Sequence, residues 1–411
     1  MRGSALPSAR NLTRALPALL IALALVACGD DEVAEDDSDR SRDGGAPDAA
    51  ASAGDGDGDG DGDGDAPGDG DGDGDGDEPA GDGDGDAPPE EDPYENVDCG
   101  EVVPNQPPDA LSCTGLYDDI EDKAVADDVR PFTPAYVLWS DAAEKQRWVH
   151  LPEGEKIDNS DPDAWKLPSG TKLFKEFQWK GQRVETRMFW KNEDGRWLKT
   201  SYHWNEQETE AIRFDGGDVD VAGDAYYIPS AKECDQCHKG RADRSLGFER
   251  VLLSLPGAEG VTLQTLIDED LLTDPPDEPT GELGDDGTGL AAAALGYLHV
   301  NCGVSCHNGN PGSEGYSSDL RLRLPPEALD GRAPTDFEAL TSTIGVEATT
   351  PRWSGEIRIV PGDPDSSLLY QLISMRDPDN PKDQMPPIGS RVVDEEGIVA
   401  IEEWIRSLPA P

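Results

Sequence analysis

Positive charge is scarce in this chain of 411 residues: 34 Lys and Arg stand against 87 Asp and Glu, a formal net charge of −53 at pH 7. Such a surface repels phosphate backbones, which argues against nucleic acid as a partner and favours a basic or neutral protein. Histidine and methionine are scarce as well, with five and four copies, so any iron or other metal has few of them to draw on. Long apolar runs are missing. The most extended one, residues 15–27, falls short of the roughly 20 residues that a bilayer-crossing helix needs. No Ser-His-Asp arrangement, paired catalytic carboxylates or phosphate-cradling glycine loop is present to support hydrolytic or nucleotide-dependent chemistry.

What is there begins with that short apolar run. Arg2, Arg10 and Arg14 precede it, and it ends in Leu25-Val26-Ala27-Cys28. This is the layout of a signal peptide, closing on the form at which bacterial lipoproteins are cleaved and acylated. Cys28 is therefore expected to carry lipid, residues 1–27 to be removed, and the chain to be exported and anchored to the cell envelope, at the outer membrane or the periplasmic face. An ordinary signal peptide with a chance cysteine is the alternative. Residues 28–98 hold 29 of the 87 acidic residues and 2 of the 34 basic ones, with Asp-Gly repeats between Asp55 and Asp86. A segment of that kind repels itself and cannot bury apolar surface, so it reads as a disordered acidic tether. Its alternating carboxylates lack the bidentate glutamate and flanking elements of a calcium loop.

Seven cysteines in an exported chain each need an account. Cys28 takes the lipid, and Cys99 and Cys113 are near enough in sequence to bridge. The other four sit in two motifs that end in histidine. Cys234-Asp235-Gln236-Cys237-His238 has the spacing of c-type haem attachment. Cysteines three apart on a helical turn present thiols to the two vinyl groups, and the following imidazole meets the iron. A zinc site needs two further ligands, and a thioredoxin-like pair needs a strand-to-helix setting. In the second motif, Cys302-Gly303-Val304-Ser305-Cys306-His307, one residue is extra. A four-residue step still places both sulfurs on one helix face, so two thioethers, one through Cys306, or a Cys302–Cys306 disulfide all stay open.

Around the second motif the order is an alanine-rich helix at 290–300, the haem motif, Met385-Pro386-Pro387, and a closing helix at 394–408 with Ile398, Ile401, Trp404, Ile405 and Leu408 on one face. That is the order of a single-haem cytochrome c domain, with Met385 as distal ligand to the iron of His307. For the iron of His238 the remaining candidates are His150, His203, His299, Met188 and Met375. His299, three residues ahead of the second motif, is the one favoured, and an open iron position is the other outcome. Before the first motif, residues 145–151, 171–179, 182–191 and 196–204 are rich in aromatic and β-branched residues and are separated by turns such as Lys180-Gly181 and Asp194-Gly195. The expected fold class is α+β: a β-sandwich-like domain at 99–230, a first haem segment at 231–287 and an α-helical cytochrome c-like domain at 288–411.

Trp165-Lys166-Leu167-Pro168-Ser169-Gly170-Thr171, Glu185-Thr186-Arg187, Tyr202-His203-Trp204-Asn205-Glu206, Ile228-Pro229-Ser230-Ala231-Lys232-Glu233-Cys234, Leu246-Gly247-Phe248 and Tyr297-Leu298-His299-Val300-Asn301-Cys302 occur in that order. Over roughly residues 115–411 this resembles a family of exported di-haem c-type cytochromes, some joined to sugar-dehydrogenase-like propellers. The resemblance implies two covalently bound haems c, one at Cys234, Cys237 and His238 and one at Cys302, Cys306 and His307, the latter departing from the family by its extra residue. The function to expect is electron transfer between a periplasmic dehydrogenase and an acceptor. A di-haem peroxidase-like enzyme with one open iron is the second reading, and a β-domain that binds a polymer or protein while the haems are structural is the third.

Overall fold

The computed structural model describes residues 92–101 and 103–409. The expected signal peptide, Cys28 and all but the end of the acidic segment lie outside the described residues. A disulfide between Cys99 and Cys113, whose Cα atoms are 5.3 Å apart, fastens the first described stretch to the segment that enters the sheet.

A short ribbon of β1 (Tyr117–Asp119) and β2 (Ala124–Val125) leads into β3 (Val129–Thr133) and then the long strands β4 (Glu144–His150), β5 (Lys172–Trp179), β6 (Gln182–Lys191), β7 (Trp197–Trp204) and the shorter β8 (Ala211–Phe214). The four long strands fall where aromatic and β-branched residues cluster, because such side chains pack well on a pleated surface. Lys180 and Gly181 turn β5 into β6 with φ of 52° and 79°, the two left-handed residues that a tight hairpin of this twist demands. A second ribbon, β9 (Gly217–Val221) and β10 (Asp224–Ile228), precedes α1 (Ala231–His238) and α2 (Arg250–Ser254). Strand β11 (Glu259–Gly260) then joins β3, completing one seven-stranded antiparallel sheet in the order β11-β3-β4-β5-β6-β7-β8. Helices α3 (Leu263–Asp268), α4 (Ala291–Leu298), α5 (Glu338–Thr341), α6 (Leu368–Ile373) and α7 (Glu395–Ser407) complete the chain.

The fold is therefore α+β, but not a sandwich of two sheets. Strand alternation gives the sheet two unlike faces. On one, Val129, Trp148, Phe174, Met188 and Tyr202 pack with Leu111 and Leu116 of the N-terminal segment. The other is shared. Val149 and Leu173 meet Phe248 and Leu253 around α2 and Leu263 and Leu266 of α3, while Phe177 meets Val221, Tyr226 and Ile228 of the β9–β10 ribbon. Short helices and a two-stranded ribbon thus cover the area that a second sheet would take.

The helical half closes around α7. Asp394 caps it by accepting from the Gly397 N–H at 3.0 Å, and Ile398, Ile401, Trp404 and Ile405 turn into a core with Leu295 and Leu298 of α4 and Leu369 of α6. A buried polar relay ties this half to the residues before it. Arg323 pairs with Asp163; Glu249, ahead of α2, receives the His299 Nε2–H at 2.7 Å; and Arg241 approaches the same carboxylate at 3.4 Å. Burial pushes the Glu249 carboxyl up, but His299 and the two arginines more than offset it, leaving it at about 2.

A carboxyl depressed from 4.5 to about 2 adds stability that is complete above the upper value and is lost as pH falls toward the lower one. Urea unfolding across that acid range should show a steep loss in the native protein. Glu249→Gln should be less stable at neutral pH and flatter below pH 4.5; parallel curves would dismiss the relay.

Candidate cofactor site

The first motif is placed by its helix start. Ser230 Oγ accepts from the Glu233 N–H at 3.4 Å, and the Glu233 carboxylate accepts from the Ser230 N–H at 2.9 Å. This capping box fixes where α1 begins, so Cys234 falls at the end of its first turn and Cys237 and His238 are its last two residues. His238 lies with its ring stacked on Phe189 of β6, centroids 4.1 Å apart. Burial lowers its pKa to about 3, so the imidazole is neutral. Its Nδ1 is 2.7 Å from the Arg244 carbonyl oxygen. A carbonyl only accepts, so Nδ1 carries the proton and Nε2 keeps its lone pair.

In the second motif the extra residue is taken up by the backbone. Helix α4 runs directly into a π-helical turn, His299–Gly303. The Val304 N–H reaches back to the His299 carbonyl at 2.8 Å, and the His307 N–H to the Cys302 carbonyl at 2.8 Å. Both bonds span five residues instead of four, the way an α-helix accommodates an insertion. Asn308 Nδ2 donates to the carbonyls of Gly303 and Val304 at 3.0 and 3.1 Å, satisfying groups that the wider turn exposes. His307 mirrors His238. Ser318 Oγ donates to the Gly315 carbonyl at 2.6 Å, so it accepts from His307 Nδ1–H at 3.2 Å and Nε2 is again the bare nitrogen. Burial brings His307 down to about 4 and the thiols of Cys302 and Cys306 up to about 12.

The two motifs meet at Gly240. A Cβ on that residue would lie 1.8 Å from the Ser305 carbonyl oxygen, so only glycine allows the chain after His238 to lie against the chain before Cys306. Asn310 Nδ2 donates to the Gly240 carbonyl at 3.2 Å, and Lys239 pairs with Glu314 at 2.6 Å.

Cys234, Cys237, His238, Cys302, Cys306, His307 and Met385 all line one cavity of about 950 Å³, walled by apolar side chains such as Leu246, Val300, Leu320, Leu369 and Ile373. This is the upper end of the roughly 300–1,000 Å³ found for sites that enclose a small molecule. Met385 is held by its own N–H to the Leu372 carbonyl at 2.8 Å. The buried Gln384 beside it is tied to the Pro386 carbonyl at 3.0 Å. The other histidines and methionines among the described residues point elsewhere. His299, the residue favoured to face the first iron, is a correction: its Nδ1 accepts from the Leu324 N–H at 2.9 Å and its Nε2–H is given to Glu249, so no lone pair is free. Met188 is core, His150 pairs with Asp128, His203 contacts Tyr94 and Met375 is exposed. Among the described residues no three His, Cys, Asp or Glu side chains converge as a bare metal ion's ligand set, whereas a tetrahedral zinc site needs four.

Sequence reasoning missed Phe189, Gly240, Ser318 and the cations of β4, β5 and β6 that line the cavity beside His238. Only the last left a trace, as basic residues at alternate positions in strands otherwise rich in aromatics.

Set against models of known families, curated proteins and solved structures, the chain matches none of them.

Gly240→Ala should force the two motifs apart at a cost of about 1–3 kcal/mol, read as a lowered thermal midpoint. Gly309→Ala, in open space, should leave the midpoint unchanged; equal effects would remove the special role of Gly240.

Proposed function

We propose that the chain is a two-haem c-type cytochrome that carries electrons between a dehydrogenase and a further acceptor outside the cytoplasm, tethered to the envelope through lipid on Cys28. The observation that carries the reading is the gathering of two Cys/His motifs and Met385, from three separate stretches of chain, on the wall of one apolar cavity. The residues fit the group. Each motif offers a neutral imidazole whose Nδ1–H is already engaged, which sets ring orientation and leaves Nε2 for iron.

Cys234, Cys237 and His238 would hold one haem; Cys302, Cys306, His307 and Met385 would hold the other. Haem supplies one-electron chemistry, and a methionine ligand raises its potential. The chain's part is to exclude water, fix the imidazoles and bring the motifs together at Gly240, so that both open on one apolar enclosure. The anionic exterior favours partners with basic docking patches.

A second reading is favoured by one finding: apart from His238, His307 and Met385, no histidine or methionine among the described residues lines the cavity. The iron held by His238 would then lack a second histidine or methionine from the described residues, the feature expected of a di-haem peroxidase-like enzyme with one open iron.

Intact-mass measurement of the exported protein should show two haem additions, and none would end both readings. Met385→Ala should lose the weak sulfur-to-iron absorbance near the red edge of the ferric spectrum. Cyanide and peroxide titrations then divide carrier from enzyme: two low-spin haems indifferent to peroxide support the carrier.

A further inference from the structure

Arg147, Lys175 and Arg187 stand directly opposite one another on β4, β5 and β6. Cross-strand partners share a face and neighbouring strands are roughly 4.8 Å apart, so the three cations form one row. All three line the cavity. Phe189, two residues beyond Arg187 and on the same face of β6, carries the stacked ring of His238, which sets the row beside the first motif.

Like charges at this spacing repel, and only one of the three is compensated. Arg187 pairs with the buried Glu185 at 2.6 Å. Arg147 is 8% exposed and its side chain has no hydrogen-bond or ion-pair partner among the described residues; the Lys175 side chain likewise has none and lies over the Phe177 ring, 4.9 Å from its centroid. The other ionisable groups around the row are Lys145 on β4, Glu185 on β6, Lys199 on β7, Tyr226 on β10, and Cys234, Cys237 and His238 on α1. Glu185 is the one carboxylate coupled to the row, and it is already committed; Asp141, Glu233 and Glu314 also line the cavity, where they accept from the Arg391 and Val392 N–H groups, from the Ser230 N–H and from Lys239. Burial and mutual repulsion lower Lys175, and burial lowers Arg147 to about 10. In a chain with a net charge of −53, a buried arginine and a half-buried lysine that line an apolar cavity without counter-charge are costly unless an anion joins them.

We infer that Arg147, Lys175 and Arg187 receive the propionate carboxylates of the haem held by Cys234, Cys237 and His238. This rests on the two-haem reading, which brings carboxylates into the cavity, and arginine is the side chain best shaped to take them. A free oxyanion offers similar chemistry, so the test separates the two sources.

The mass of native holoprotein comes first: absence of haem sinks the reading beneath the proposal, whatever the row does. With haem attached, the first haem's midpoint potential is followed against pH by optical titration in the native protein, in R147Q/K175Q and in R147K/K175R, leaving Arg187 with its glutamate. Held ionised by cations, the propionates should leave the native potential level through neutral pH. In R147Q/K175Q the potential should become more negative and fall as pH rises, because propionates with raised pKa take up a proton on reduction. R147K/K175R should behave as native, and the single Lys175→Gln, which keeps both arginines, should shift the same way by less. A native-like profile in R147Q/K175Q with haem still bound overturns the assignment. So does a saturable absorbance change of the native protein with inorganic phosphate or nitrite that R147Q/K175Q loses, since the row would then serve a free anion.

Discussion

The approach of the Gly240 backbone to the Ser305 carbonyl is the contact on which the rest of the molecule turns. One motif is delivered by the sheet through the β9–β10 ribbon and the capping box at Ser230, the other by the helical core through α4. They reach the same cavity only because no side chain stands between them. The relay from Asp163 through Arg323 and Glu249 to His299 lies along the same seam. It consumes the one further histidine that stands close to the second motif in sequence.

Much of the architecture was legible in the sequence. The strands expected at 182–191 and 196–204 are observed as Gln182–Lys191 and Trp197–Trp204, and the helix expected at 394–408 as Glu395–Ser407, because side-chain period alone reports them. How the layers stack was not legible. Alternation says that a strand has two faces but not what covers each, and here short helices take the place of a second sheet. The candidate site was readable in its reactive atoms and unreadable in their supports. Phe189, Ser318 and Arg244 matter through a stacked ring, a hydroxyl and a backbone carbonyl, none of which has a spacing signature. His299 misled for the same reason: its distance along the helix was visible, its two hydrogen bonds were not.

Charge is distributed with a sharp division. The sequence is dominated by carboxylates, while the cavity face of the sheet presents arginine and lysine with one glutamate among them. Within so acidic a sequence, the basic face of the sheet makes its part of the cavity a place where anions are favoured.

The π-helical turn at His299–Gly303 has a meaning for how this chain tolerates change. Adding one residue to a regular α-helix rotates everything beyond it by about 100°, which would carry either Leu298 out of the core or His307 out of the cavity. Widening a single turn confines the insertion to the span between them, so both ends keep their bearings. A length change inside a chemically constrained motif is thereby absorbed as a local change of pitch. Spacing rules written for the regular helix overlook such a motif even where its histidine stands in the same place.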